Sequence, residues 1–181
     1  MAVQIQWRRG SSTQNDAFTG ALGEITVDTT NDSLRIHDGS TLGGFEPNAK
    51  YADLAERYET DVELENGEVV VIGGMAEITR STVAADTKVL GVVSTKPSHK
   101  MNAYAGDLKT RDKTHPFIAL TGRCPCKVVG PVNRGDFIVS SSVPGHGMRS
   151  EQYIGGAVIG KSLTAKEGDE PGVIEIAVGR F

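Results

Sequence analysis

Cysteines and aromatic residues are scarce in this chain, and basic charge is not in excess. Of its 181 residues only 2 are Cys and 6% are aromatic, and 23 Asp and Glu outnumber 19 Lys and Arg. The formal net charge of −4 argues against a nucleic-acid partner, because such proteins present a dense basic face to the phosphates. We therefore expect no nucleic-acid binding.

Long apolar segments are also missing. No run approaches the ~20 residues of a membrane helix, and the N-terminal sequence MAVQIQWRRG lacks the apolar stretch of a signal peptide. We expect no insertion into a membrane, and a chain that is made or assembled in a reducing cytosol.

The two cysteines, Cys124 and Cys126, lie on either side of Pro125. Metal sites usually need Cys-x-x-Cys spacing and a second pair of ligands. Folding could bring His115 and His146 close, but nothing in the sequence requires it. Since residues two apart in a strand face the same side, we predict that both thiols fill a core as small apolar groups. We predict no metal, no cofactor and no redox role.

Short alternating segments bounded by turn residues make up most of the sequence. Residues 24–28 and 33–37 alternate apolar and polar side chains, and turn residues at 30–32 join them into a predicted hairpin. Residues 49–58 place apolar side chains at helical spacing, with a short strand as the alternative. The predicted fold class is all-β, with further strands at residues 3–7, 68–73, 76–80, 88–94, 116–120, 123–129, 136–141, 154–160 and 172–178.

A weak internal repeat pairs a tight, Gly-containing turn with a buried strand. Residues 65–72 match residues 133–139 in this respect, since Gly permits the positive φ that such a turn needs. Two units of this kind indicate a compact β-barrel or β-clip-like domain of short strands.

The N-terminal residues carry a more specific pattern. It begins with Arg8-Arg9-Gly10, continues with GEITVD at 23–28, and closes with LRIHDG at 34–39 and GGF at 43–45. In order and spacing, residues 4–45 resemble the N-terminal module of phage major tropism determinants and many phage tail-fibre proteins. The resemblance implies a small β-hairpin or β-prism-like module, residues 1–47, whose strands surround a threefold axis and mount a fibre on the virion.

A module of this size cannot bury a sufficient core alone, so a stable form implies association. Alternate residues of the predicted hairpin share one apolar face, and we predict that sister chains cover that face. A charge on the opposite face, at Thr26 or Arg35, is expected to be tolerated. The predicted subunit interface consists of Ile5, Trp7, Ile25, Val27, Leu34 and Ile36.

Residues 48–181 are the predicted second domain, a β-rich knob, and residues 51–181 of it carry a second set of short motifs. These are DLAE at 53–56, GEVV at 67–70, GVVS at 91–94, GR at 122–123, GD at 135–136 and GVIEI at 172–176. This part resembles a C-terminal β-domain of cyanophage fibre proteins and, more distantly, the self-cleaving chaperone of phage neck appendages. Such relatives usually read Val-Pro-Val where this chain has Cys124-Pro125-Cys126, which agrees with a core position for both thiols.

The second resemblance brings one enzymatic alternative, autoproteolysis. Its candidate groups are Ser94 as nucleophile, Asp53 or Glu56 as acid, and His99. A hydroxyl nucleophile needs a base within hydrogen-bond reach, and the sequence does not place one. We therefore interpret the two acids as surface charges and Ser94 as a hydroxyl at a strand end. We predict no catalytic residues and no enzyme.

Residues 94–116 form a basic segment without a strand pattern. They hold five Lys or Arg against two Asp, whereas residues 53–77 hold eight acids against one Arg. Long loops of this kind are often functional. The segment is left with three roles: contact with an anionic cell surface, docking on the acidic segment of a neighbouring subunit, or a solvated loop. The predicted contact residues are Lys96, His99, Lys100, Lys109, Arg111 and Lys113.

Together these features predict a non-enzymatic structural component of a bacteriophage virion, assembled in the host cytoplasm. It would be a short trimeric fibre or appendage of the tail or baseplate, attached by its N-terminal module and exposing a β-rich knob. The expected partners are sister chains, other virion proteins of the baseplate, tail, neck or capsid, and host cell-surface polysaccharide. A capsid decoration or head-fibre protein is the first alternative, and an autoproteolytic intramolecular chaperone is the second.

Overall fold

The computed structural model describes residues 6–45 and 53–179. The chain divides into two compact units, residues 1–48 and residues 49–181. Nearly all of the regular structure is β, with 5% helix, and it comprises a small N-terminal sheet and a closed five-stranded β-barrel domain. The all-β prediction is confirmed, and a barrel takes the place of the β-clip alternative.

Unit 1 is a three-stranded sheet with one helical turn. The central strand pairs in parallel with the first strand and in antiparallel with the third, as a hairpin. Ser11 caps the helical turn, because its side chain accepts a hydrogen bond from the Gln14 amide while the Gln14 side chain bonds back. In chain order the elements are β1 Arg8–Gly10, α1 Ser12–Asp16, β2 Ile25–Asp28 and β3 Ser33–Ile36.

Unit 2 holds ten strands in one hydrogen-bonded network and one short helix. Its elements are β4 Asp53–Arg57, β5 Val69–Ile72, β6 Ile78–Arg80, β7 Val89–Val93, β8 His99–Met101, α2 Arg111–Thr114, β9 Phe117–Val128, β10 Phe137–Ser140, β11 Gly147–Ser150, β12 Val158–Ser162 and β13 Gly172–Val178.

Five of these strands close the barrel. Their order is β9, β13, β12, β10 and β11, and the circuit returns to β9 where Gly147 pairs with Val128. Closure removes exposed sheet edges. The first half of β9 extends beyond the barrel, pairs with β4 and β7, and so carries β5, β6 and β8 into the same network.

The barrel interior is made of small branched and sulfur-containing side chains. Cys124 and Cys126 are fully buried and free, and they lie opposite Ile176 and Ile174 across the β9–β13 pair. Both belong to the main core cluster, together with Val92 and other apolar residues. The prediction that the thiols fill a core is confirmed.

Of the two structures considered for residues 49–58, the short strand is confirmed where the structure describes these residues, and the helix is wrong. Residues 53–57 form β4, in which Asp53, Ala55 and Arg57 are buried and the two residues between them are half-buried. This period of two marks a strand. The sequence pattern indicated a helix because two of the three inward positions carry charged residues, which break the apolar alternation. Residues 49–52 lie outside the described part.

Other boundaries also differ from the predictions. The predicted segments 116–120 and 123–129 form one strand, β9. Its pairing with β4 contains a register shift between Leu54 and Ala55, the mark of a β-bulge. The basic segment 94–116 contains β8 and α2, and β11 was not predicted. Strand β12 lies later than the predicted 154–160. Residues 6 and 7 are not in a strand, and residues 3–5 of the first predicted strand lie outside the described part.

Candidate functional site

Unit 1 exposes an apolar face on its sheet. Ile25 lies opposite Ile36 in the β2–β3 pair, and Val27 lies opposite Leu34, so these four side chains share one face. Ile25, Leu34 and Ile36 are 37%, 40% and 45% exposed, and Val27 is half-buried. Among residues 6–45, therefore, no part of unit 1 fully covers this apolar side of the sheet.

Phe45 extends this face, and sequence reasoning missed it. Its backbone forms two hydrogen bonds with Ile36, both of 2.8 Å, and the resulting bridge sets Phe45 beside Ile36 in the row that begins with Ile25. Its side chain is 54% exposed. The sequence signal for Phe45 was its position directly after Gly43-Gly44, where the chain turns back to pair with β3. We call Ile25, Val27, Leu34, Ile36 and Phe45 the apolar face.

The other two residues of the predicted interface, Ile5 and Trp7, precede β1 in the sequence. Trp7 is 51% exposed and precedes β1. Ile5 lies outside the described residues.

The opposite side of the sheet is polar and buried, which corrects an expectation from the sequence. Thr26 and Arg35 were expected to tolerate charge changes, but they are 0% and 8% exposed. Arg35 forms ion pairs with Asp28 at 2.7 Å and Asp16 at 2.5 Å, and it donates to the carbonyl oxygen of Gly43 at 3.2 Å. The interior of unit 1 is therefore an ionic network centred on Arg35.

Asp28 is the fully buried carboxylate of this network. Burial by itself raises the pKa of Asp28, but hydrogen bonds from Arg35, Ser12 and the backbone amides of Thr30 and Asn31 lower it further than burial raises it. The net effect is a lowered pKa. The same ion pairs raise the pKa of Arg35. Both groups are therefore charged at neutral pH, and each depends on the other.

His37 occupies the other part of this interior, with 2% exposure. Its Nδ1 accepts a hydrogen bond from the backbone amide of Gly20 at 3.1 Å, so the proton of the neutral ring lies on Nε2, 3.1 Å from Thr26 Oγ1. A Cβ at Gly20 or Gly44 would lie 2.6 Å or 2.8 Å from the imidazole ring. These two glycines make the space that the ring fills.

In unit 2 the structure brings together two of the four groups considered for autoproteolysis. Ser94 Oγ donates a 2.6 Å hydrogen bond to Asp53 Oδ2, and Asp53 is 1% exposed. Burial raises the pKa of Asp53, while the Ser94 bond opposes that rise. The interpretation of Asp53 as a surface charge is wrong. Glu56 is half-buried and accepts a hydrogen bond from Tyr58, whereas His99 is exposed on β8.

The buried thiols do not supply a reactive group. Burial, together with the charge of Asp53, raises the pKa of Cys124 to about 12, and burial also raises the pKa of Cys126. Both groups are therefore thiols rather than nucleophilic thiolates at neutral pH. Within residues 6–45 and 53–179, no cluster of His, Cys, Asp or Glu has the arrangement of a metal site.

The basic segment is divided by the structure. Lys96 and Lys100 line a cavity of about 330 Å³, whereas Lys113 forms an ion pair with Glu63 at 3.0 Å. His99, Lys109 and Arg111 are not among the residues that line this cavity. The structure thus brings together two of the six predicted contact residues.

Arg57 and Phe117 complete this cavity, which we call the basic cavity, and sequence reasoning missed both. Arg57 is 5% exposed, lies 4.0 Å from the centre of the Phe117 ring, and pairs with Asp112 at 2.6 Å. It also donates to the carbonyl oxygens of Arg111 and His115. The only signal for Arg57 was a charged residue within a short segment, which the sequence left as either a helix or a strand.

In the described part of the chain, no helix is long and apolar enough to span a bilayer.

Comparison with known proteins assigns the N-terminal residues to a domain family. Residues 5–41 match the family model of the major tropism determinant N-terminal domain. Over 45 residues the chain is 49% identical to the tail fiber receptor-binding protein of Bordetella phage BPP-1. The matched segment is 25% of this chain and 12% of that protein. The resemblance predicted from residues 4–45 is confirmed.

Among solved structures, the pre-mature bacteriophage phi29 gene product 12 matches with a TM-score of 0.54 and 13% identity, over 84% of this chain and 24% of that one. This is a likeness of fold. The I1 variant of the major tropism determinant matches with a TM-score of 0.25 and 18% identity, over 90% of this chain and 38% of that one. The chain spans less than half the length of each of these proteins.

Proposed function

We propose that this chain is a structural component of a bacteriophage virion, a short trimeric fibre or appendage of the tail. The observation that carries the proposal is the N-terminal domain match over residues 5–41, with 49% identity to a phage tail fiber receptor-binding protein across the same region. In this proposal unit 1 attaches the protein to the particle and joins the subunits, and unit 2 is the exposed knob.

The apolar face supports the assembly part of the proposal. Arg35, Asp28 and His37 are buried in the interior of unit 1, whereas the side chains of Ile25 and Ile36 are exposed to solvent. A small sheet of this kind is marginal by itself, and burial of its apolar side contributes about 25 cal/mol per Å². Three copies that close this side against one another, or a neighbouring virion protein, would supply the missing cover.

Unit 2 is proposed to act without catalysis, as a rigid surface. Its closed barrel offers few strand edges for unwanted pairing, and its basic segment faces solvent at Lys96 and Lys100. We propose that this segment contacts polysaccharide of the host cell surface. The protein would thus be assembled in the host cytoplasm and act as part of the virion.

Autoproteolysis is the second candidate function, and the Asp53–Ser94 hydrogen bond favours it. A carboxylate 2.6 Å from a serine hydroxyl has the geometry of a base beside a nucleophile. Against this, Ser94 is 7% exposed, so a scissile carbonyl has little access. Intact mass spectrometry of the purified chain distinguishes the two: a mass of 19.2 kDa supports the structural role, and two fragments support self-cleavage.

The virion proposal is tested by labelling. An antibody against unit 2, coupled to gold and applied to purified particles, should mark the tail in electron micrographs. A label on the capsid would instead favour a decoration or head-fibre protein. Particles that carry no label and contain no trace of the chain by mass spectrometry would contradict the proposal.

A further inference from the structure

The basic cavity carries a charge excess that the fold leaves without compensation. Its walls hold three cations, Arg57, Lys96 and Lys100, against one carboxylate, Asp112. Asp112 is already paired with Arg57, and that ion pair lowers its pKa. Within residues 6–45 and 53–179, no carboxylate oxygen lies within 4.0 Å of the ammonium group of Lys96 or Lys100. Both lysines are exposed at the mouth of the cavity.

Arg57 gives the cavity a fixed floor. Its guanidinium is held by two backbone carbonyls and by Asp112, and it stacks on Phe117. The Nε of Arg57 is buried and has no hydrogen-bond partner in the described residues. The ammonium group of Lys100 lies 5.6 Å from the centre of the same ring. The positive charge is therefore placed by a packed aromatic residue rather than by flexible side chains alone.

The neutral part of the wall has mixed chemistry. Phe117, Pro97 and Pro116 offer apolar surface, while Asn66 and Thr95 offer hydrogen-bonding groups. A volume of about 330 Å³ lies near the lower end of the ~300–1,000 Å³ found for small-ligand sites. Such a site suits a ring with one apolar face, several hydroxyl groups and a negative charge.

We propose that the basic cavity binds an acidic saccharide, a sugar unit that carries a carboxylate, with Lys96 and Lys100 on the carboxylate. This inference rests on the proposed function, since it names the chemical class of the polysaccharide that unit 2 would contact. A carboxylate next to two ammonium groups forms charge-assisted hydrogen bonds, which are stronger than bonds between neutral groups.

The test is a calorimetric titration of the full chain at low ionic strength with trigalacturonate, an acidic trisaccharide. Maltotriose serves as the neutral saccharide and inorganic phosphate as the small anion. We expect saturable binding of trigalacturonate, weaker at higher salt, and no comparable binding of the other two. Equal binding of maltotriose would show that the lysines do not recognise charge. Equal binding of phosphate would show an anion site without a preference for saccharides. Either result, or the absence of binding, overturns the proposal.

Two double variants separate the site from the overall charge. Lys96→Ala/Lys100→Ala should weaken trigalacturonate binding about tenfold or more, because two charge-assisted bonds are lost. Lys88→Ala/Arg134→Ala removes the same charge at exposed positions outside both the basic cavity and the basic segment 94–116, and it should leave the affinity unchanged. Equal weakening by both variants overturns the assignment to the cavity.

The titration needs neither particles nor a trimer, so its outcome is separable from that of the virion proposal. If the chain binds trigalacturonate but is absent from particles, the saccharide site stands and the virion role falls. If particles carry the chain but the titration shows no binding, the virion role stands and the saccharide site falls.

Discussion

Arg35→Met is the change that most directly tests the ionic interior of unit 1. Methionine keeps an unbranched apolar stem of similar reach but removes the guanidinium. The variant loses hydrogen bonds to Asp28, to Asp16 and to the carbonyl of Gly43. It also leaves a fully buried carboxylate without its cation. Unit 1 should therefore unfold locally while unit 2 keeps its structure.

The magnitude follows from the surroundings of Arg35. Removing one partner of a buried ion pair usually costs ~3–5 kcal/mol. The lower end applies here, because the side chain of Asp16 is 64% exposed and returns to water without penalty. At ~0.05–0.15 kcal/mol per residue, the 40 described residues of unit 1 have a stability of about 2–6 kcal/mol. A loss of about 3 kcal/mol is therefore comparable with the whole stability of the unit.

Amide hydrogen exchange followed by mass spectrometry reads the two units separately. In Arg35→Met, peptides from residues 8–36 should exchange at rates near those of an unfolded chain, with unit 2 unchanged. Arg9→Met is the matched control, because Arg9 is exposed on β1, and it should behave as wild type. Asp28→Asn combined with Arg35→Met should recover part of the protection, since no unpaired buried charge remains.

One result would refute this reasoning. If Arg35→Met keeps wild-type protection in residues 8–36, the ion pairs contribute little to unit 1 and its stability has another source.

Three further changes test the packing of both units. Gly44→Ala sets a Cβ 2.8 Å from the His37 ring and should destabilise unit 1 by ~1–3 kcal/mol; unchanged exchange in residues 8–36 would argue against this contact. Asp53→Asn should raise the stability of unit 2 at pH 7. Burial raises the pKa of Asp53 in the folded state. The unfolding free energy of the wild type therefore falls as pH rises from the unfolded-state pKa of ~3.9 through the higher folded-state pKa. Denaturant unfolding at pH 7 and pH 3 should show this gain only at pH 7, and an equal gain at both would contradict the cause. Cys124→Val/Cys126→Val should change the unfolding free energy of unit 2 by no more than ~1.5 kcal/mol; stoichiometric zinc in the wild type, lost in this variant, would overturn the core role.

The sequence was sufficient for the β class, the hairpin and the four hairpin residues of the apolar face, because these depend on alternation alone; Phe45 lies outside the alternating segments. Ile25 and Val27 alternate with polar residues in β2, as Leu34 and Ile36 do in β3. The turn between the strands sets the register that places Ile25 opposite Ile36. The polar side was misjudged for the same reason. Alternation shows that Thr26 and Arg35 share a side, but not which side a small unit buries, and here the ionic side is the interior.

The basic cavity lay beyond sequence reasoning because its parts are distant in the chain. Arg57, Lys96 and Phe117 meet only because β4 pairs with β9 and with β8. Those pairings are long-range, and no local pattern specifies them. The inward position of Arg57 also contradicts the usual exposure of charged residues, so the sequence did not distinguish a helix from a short strand in this segment.

Light scattering of the full chain at micromolar concentration shows whether the protein is a trimer. We expect three times the chain mass of 19.2 kDa for the wild type. Ile36→Asp places a carboxylate on the apolar face and should give a monomer, whereas Val83→Asp, at a position 56% exposed in unit 2, should remain a trimer. A wild-type mass of one chain, or an Ile36→Asp variant that stays trimeric, would contradict assembly through the apolar face.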